Sequence, residues 1–281
     1  MKTITHLSLL MTFFICSGLY AQKIEGIATY KSQRKMDIKL DSTMNDAMQE
    51  QIMAMLKKQS EKTFFLEFNE NESQYKEEEK LEDDLVIEGG GMKIVIAGNG
   101  GGNDVLYKNL KENRYANQLE IFGKEFLIKD TLENRNWKLE KETKNIGEYT
   151  CFKATYSTTR RIMVAESSSD RETKEVTSEE SVTVTAWYTP QIPVKNGPSQ
   201  YGGLPGLILE VNDGSETLLC SKIILNPEKG LAIKEPNKGK IVTNAEYEEI
   251  MEKKMKEMNE QFEGDGRRAD GNQMRIRIGG N

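Results

Sequence analysis

The chain has 281 residues, with 39 basic against 45 acidic side chains and a formal charge of −6 at neutral pH. That balance disfavours a nucleic-acid partner, because neutralising phosphates and releasing their counterions takes a net basic face. The one histidine is His6, so the rest of the chain lacks the imidazole that Ser/His/Asp and Cys/His sites need, and lacks His-ligated zinc as well.

Met1 to about Ala21 reads as a cleavable signal peptide. Lys2 supplies a positive start, Leu7 to Leu19 an apolar stretch, and Leu19-Tyr20-Ala21 before Gln22 a small residue at the cut. Interrupted by Thr12, Ser17 and Gly18, this run is too short for a membrane helix, which needs about 20 apolar residues, and no later stretch comes close. Cys16 follows Phe14-Ile15 and lacks the small residue that a lipoprotein anchor needs directly before its cysteine, so it belongs to the leader. The expected location is periplasmic or secreted, with no transmembrane segment. Cys151 and Cys220 then remain, and an even count in an oxidising compartment suggests a disulfide between neighbouring strands; the alternative is two separately buried thiols.

Ile24 to Tyr30 opens the mature chain as a strand. A helix is expected after an N-cap at Asp41 or Ser42, since Met44, Met48, Ile52 and Met55/Leu56 recur at spacings of three and four. Thr63 to Phe68 and a polar return from Ser73 to Lys80 flank the turn Asn69-Glu70-Asn71, and Met92 to Ala97 is a further strand between two glycine clusters. A phosphate loop is rejected for this region, because the closing Lys-Ser/Thr pair is missing and no helix follows; residues 89–103 read as a flexible insertion.

Strand signals continue over Tyr115 to Phe122, Glu125 to Lys129, Trp137 to Leu139 and Tyr149 to Tyr156, the spacing of an antiparallel meander. Residues 165–181, rich in Ser, Thr and acids, read as a second insertion, a solvated hairpin extension or loop. Val182 to Thr189 resumes with clean alternation, and Leu207 to Val211 pairs with Thr217 to Leu225 through Asn212-Asp213-Gly214-Ser215. Thr243-Asn244-Ala245-Glu246 is a capping box ahead of a second helix carrying Tyr247, Met251, Met255, Met258 and Phe262, and Met274 to Ile278 alternate as a last strand. Residues 22–281 are therefore expected to form one domain, mainly β with some α: a curved antiparallel sheet or half-barrel with two covering helices.

Ala186 to Val211 reads AWYTPQIPVKNGPSQYGGLPGLILEV. Together with FGKEFLIKD at Phe122 to Asp130, WKLEKETKNIGEYTCFKAT at Trp137 to Thr155, and a lysine-glycine-lysine stretch before Glu246-Tyr247-Glu248, this resembles the GLPGLI family, an exported group of Gram-negative bacteria named for the hexapeptide at Gly203 to Ile208. The resemblance implies an address and supplies no catalytic residues. Read on its own residues, Pro205-Gly206 suits the centre of a type II turn, while Pro190, Pro193 and Pro198 hold Thr189 to Tyr201 in an extended crossing that is not a strand. Trp187, Tyr188, Tyr201, Leu204, Pro205 and Gly206 either rim a binding site or form a stiff connector between strands.

Three functions remain open on the sequence. One is a non-enzymatic envelope protein that binds a hydrophobic small molecule, a peptide or an envelope protein, with a fold-level resemblance to the half-barrel of periplasmic lipoprotein carriers. A second is Cu(I) handling by Met44, Met48, Met53 and Met55 with Met251, Met255 and Met258; these positions coincide with the stripes a core needs, so no metal and no cofactor is expected. The third is a carboxylate-dependent hydrolase.

Overall fold

In a computed structural model of the chain, residues 24–35, 49–50, 61–79, 85–89, 92–96, 104–167 and 173–265 are described. Their strands are β1 (Gly26–Arg34), β2 (Glu61–Phe68), β3 (Glu72–Glu77), β4 (Leu85–Gly89), β5 (Met92–Ile96), β6 (Val105–Asn109), β7 (Arg114–Ile121), β8 (Lys124–Thr131), β9 (Lys138–Ile146), β10 (Tyr149–Ser167), β11 (Thr173–Thr189), β12 (Leu207–Asn212), β13 (Glu216–Leu225) and β14 (Lys240–Val242), followed by the helix α1 (Asn244–Asp265). Twelve strands form one open sheet in the order β14-β8-β7-β6-β3-β2-β1-β13-β12-β11-β10-β9, while β4 and β5 pair separately. Among the described strands only β14 on β8 is parallel.

The turns follow side-chain chemistry. Asn69 Oδ1 accepts the Asn71 and Glu72 N–H groups between β2 and β3, and Asp213 Oδ1 accepts those of Ser215 and Glu216 between β12 and β13, each an Asx-type closure that sets the strand register. The β7–β8 hairpin turns on Phe122 and Gly123, both at positive φ (52° and 68°).

Residues directly opposed across a ladder share a face. One such row runs Val242, Ile128, Asn117, Leu106, Tyr75, Leu66, Ala28, Ile223 from β14 to β13. A second runs Ser32, Leu218, Val211, Ala186, Ala154 from β1 to β10. Ser32 and Ala28 lie four apart on β1, so both rows lie on the same face, and nearly every member is buried. What covers this inner face is the connector between β11 and β12: its Ile192 and Val194 enter one core cluster and its Leu204 a second.

The sheet curves towards that connector. Strands β6 and β12 are five places apart, about 24 Å in a flat sheet at ~4.8 Å per strand. Yet Asn196 O accepts the Ile208 N–H of β12, while the adjacent Gly197 O accepts from Lys108 of β6. One lysine side chain and one residue of connector bridge the gap, which requires the inner face to be concave.

Two covering helices are not what encloses this face. Among the described residues α1 is the one complete helix, and it packs at the end of the sheet: Tyr247 and Ile250 join the core, with Tyr247 edge-on to Phe126 of β8 at 5.7 Å. The helix expected near Met44 to Leu56 lies outside the described residues except for Gln49 and Glu50, which are helical. The signal peptide, Met258, Phe262 and the strand expected at Met274 to Ile278 concern side chains or residues outside those described, as does much of the 89–103 insertion. Around 165–181 the described residues continue β10 and β11 as a two-stranded ribbon past Thr155 and Thr185, where pairing with β9 and β12 stops. No helix among the described residues is long and apolar enough to cross a membrane.

Candidate functional site

The connector from Pro190 to Gly206 is fixed through its own carbonyl groups. Lys108 Nζ donates to Gly197 O, Ser199 O and Tyr201 O at 2.8, 2.7 and 3.0 Å. Arg135 Nη1 donates to Gln200 O at 2.7 Å and Trp137 Nε1 to Gly202 O at 2.9 Å. Lys108 is 1% exposed. Burial, and secondarily the Arg135 charge, push its ammonium well below the usual lysine range. Three acceptors nevertheless match the three N–H groups of the protonated form, and a neutral amine would leave one carbonyl unpaired, so the cradle is built for the charged lysine. Arg135 in turn lies over the rings of Tyr156 and Tyr201, at 5.9 and 5.2 Å, and Trp137 meets Tyr156 edge-on at 4.6 Å.

The Pro205-Gly206 pair does not form a type II turn. Gly206 has φ +159°, which is extended backbone, and its N–H donates to Leu204 O at 2.8 Å. Glycine is required there by close approach: a Cβ would stand 2.2 Å from Thr189 O. The left-handed glycine of the hexapeptide is Gly203, at φ +86° with open space around it.

The six residues nominated from the sequence do not converge on one surface. Tyr188, Leu204 and Gly206 are buried, Tyr201 and Trp187 half-buried, and Pro205 exposed. Tyr188 opposes Phe152 on the inner face, whereas Trp187 opposes Lys153 and Glu210 on the other. There Lys144 Nζ sits 4.4 Å above the Trp187 ring and 2.6 Å from Glu210. Successive residues of a strand point to opposite faces, so Trp187 and Tyr188 cannot line the same site.

The expected disulfide is also absent. Cys151 and Cys220 are free and buried, on β10 and β13, which β11 and β12 separate. Burial pushes their thiols up to about 11 and about 12.

Two concavities stand out among the described residues. The larger, about 900 Å³, lies between the β7–β8 hairpin, β14 and α1 and is lined by Ile121, Phe122, Phe126, Ile250 and Met251, with Lys124, Lys240, Lys254, Glu120 and Glu125 as its charged residues. Phe122 stands at its edge 53% exposed. An aromatic in the left-handed region, facing water, runs against both backbone and solvation preference. The smaller, about 170 Å³, lies under Ser199 and Gln200 of the connector. No group of three or more His, Cys, Asp or Glu side chains among the described residues is placed to hold a metal ion. Sequence reading missed Lys108, Arg135 and the groove; a lone lysine at the alternating position of VLYKN was the available signal for the first.

Fold and site together define a mainly β protein with an open twelve-stranded sheet plugged by a proline- and glycine-rich connector. Residues 137–210 match the model of a family described as a protein of unknown function (Porph_ging); the match starts at Trp137 and takes in the whole connector. No curated protein matches the chain. Among solved structures, those of PNGF-II in space groups C2 and P21 are similar to it at 15% and 16% identity, each with a TM-score of 0.45, over 81% and 80% of this chain. The chain spans 32% of the PNGF-II chain in each.

Proposed function

We propose that this is a non-catalytic binding protein that takes an apolar chain with an anionic end into the groove between the β7–β8 hairpin and α1. The observation that carries the reading is the groove's composition. Its size falls in the roughly 300–1,000 Å³ range of small-molecule sites, its wall is aliphatic and aromatic between charged residues in which three lysines outnumber the carboxylates Glu120 and Glu125, and Lys124 and Lys240 form no ion pair among the described residues, whereas Lys254 is paired with Glu257. Phe122 is held exposed at the groove at a conformational cost, a departure from local preference of the kind that marks functional sites. Displacement of a fluorescent naphthylamine by dodecanoate tests the reading. Wild type should bind dodecanoate more tightly than dodecanol; Met251→Glu should abolish both, and Lys124→Gln with Lys240→Gln should erase the preference. Undiminished binding by the folded Met251→Glu protein would count against the groove.

We also infer that the chain is a GLPGLI-type protein exported after cleavage near Ala21. The hexapeptide at Gly203 to Ile208, the Met1 to Ala21 pattern and the family match over 137–210 support this. N-terminal sequencing of cell-derived protein should begin at or near Gln22, and a start at Met1 would contradict it.

A further inference from the structure

The smaller cavity is separate from the groove and has a different chemistry. Its wall is the stacked pair Phe64 and Tyr75, whose centroids are 5.0 Å apart at 10°, together with Leu106 and Asn117; Ser199 and Gln200 overhang it, and Asp104, Glu77 and Lys76 stand at its side. The overhang is held in place, because Lys108 grips the Ser199 carbonyl and Arg135 that of Gln200.

Two polar groups here are not fully used by the fold. Tyr75 is 7% exposed, yet its hydroxyl has no hydrogen-bond partner, a state that buried hydroxyls rarely keep. Asp104 takes one backbone hydrogen bond, from Glu120 N–H at 3.1 Å, and makes no ion pair among the described residues. The nearby cations are engaged elsewhere: Lys62 with Glu77 at 2.9 Å and Lys76 with Glu67 at 3.9 Å. The carboxyl is pushed above its usual value by burial first, with the charges of Glu77 and Glu120 adding to the effect and Lys62 opposing it. The lining therefore holds two carboxylates, Asp104 and Glu77, against the one ammonium of Lys76, together with a hydroxyl awaiting a partner and an aromatic wall. A compact cation answers all three, since it pairs with the carboxylate, hydrogen-bonds to a hydroxyl oxygen and is attracted to aromatic faces.

We propose that this cavity is a binding site for a small primary ammonium group on a short hydrocarbon stem, with Asp104 as counter-ion, Tyr75 Oη as hydrogen-bond acceptor, and Phe64 and Leu106 against the stem. The two carboxylates against the one lysine of the lining disfavour an anion, and a neutral molecule would leave Asp104 without an ion pair.

The test uses the full chain and n-butylammonium chloride, followed by calorimetry, with n-butanol and sodium butyrate at matched ionic strength as comparisons. Butylammonium should bind saturably with one site, at least tenfold more weakly in Asp104→Asn and several-fold more weakly in Tyr75→Phe, and neither comparison compound should bind. No saturable binding by wild type would overturn the proposal and leave the cavity to water. Butanol binding as well as butylammonium, or a folded Asp104→Asn protein with unchanged affinity, would overturn it equally. If Asp104→Asn does not fold, Tyr75→Phe decides: it removes only the partnerless hydroxyl, and unchanged affinity there refutes the assignment. Loss of dodecanoate binding in the groove variants tests the other site and leaves these outcomes unaffected.

Discussion

Replacing Lys108 with methionine keeps the side-chain length and apolar stem and deletes one charged head group. In the wild type that head satisfies three carbonyls of the connector, all at or below 3.0 Å and one of them in a buried pair. Hydrogen bonds to a charged group are worth about 1.5–3 kcal/mol each, but dehydrating the ammonium offsets a large part of that gain. The variant recovers the dehydration cost and leaves carbonyls unpaired at about 1–3 kcal/mol each for those that water does not reach. The ledger gives a net loss of about 3–5 kcal/mol, the range found when one partner of a buried charged constellation is removed. Urea denaturation should show this as a lower midpoint at unchanged m, while Lys111→Met in the neighbouring exposed turn should shift stability by less than about 0.5 kcal/mol. Hydrogen exchange of connector amides should accelerate in the Lys108 variant before global unfolding. A loss below about 1 kcal/mol for Lys108→Met would refute the idea that this lysine fastens the connector to the sheet.

Gly206→Ala should cost more than about 2 kcal/mol in the same assay, because its Cβ would stand 2.2 Å from Thr189 O, whereas Gly203→Ala, with space but φ +86°, should cost about 1 kcal/mol; the reverse order would contradict the geometry. The two buried thiols, pushed up to about 11 and about 12, should resist a thiol reagent at pH 8 in native protein and both react after denaturation without reductant, and no reactive thiol in the denatured protein would show a disulfide instead. Burial pushes the Asp213 carboxyl up, but hydrogen bonds from Glu216 and Ser215 and the Arg160 charge outweigh it and hold the group below its usual value. Its stabilising contribution is therefore complete above about pH 5 and lost as pH falls through that depressed value, so Asp213→Asn should flatten the acid limb of a stability-against-pH curve; an unchanged limb would contradict the assignment.

Strands that alternate and end in recognisable turns were legible in the sequence. Val182 to Thr189, Leu207 to Val211 and the Asn212 to Ser215 turn are where periodicity and Asx chemistry placed them, and the capping box at Thr243 closes as expected, with Glu246 accepting the Thr243 N–H at 2.7 Å. Short β6 and three-residue β14 were not legible, since neither is long enough to show a period and both are fixed by neighbours remote in sequence. The connector was recognised as stiff, but its prolines and glycines do not reveal which side chains will grip its carbonyls. Lys108 lies some 90 residues upstream of the carbonyls it binds, and only the curvature of the sheet brings them together. Trp187 and Tyr188 were grouped by adjacency in the chain, and the alternation of a strand separates them.

The groove is tested most directly by a crystal structure of the protein grown with 12-bromododecanoate, with data collected at the bromine edge. The anomalous peak should lie among Phe126, Ile250 and Met251, with the carboxylate towards Lys124 or Lys240. A peak elsewhere on the chain, or none at a concentration that saturates the displacement assay, would contradict the proposed function.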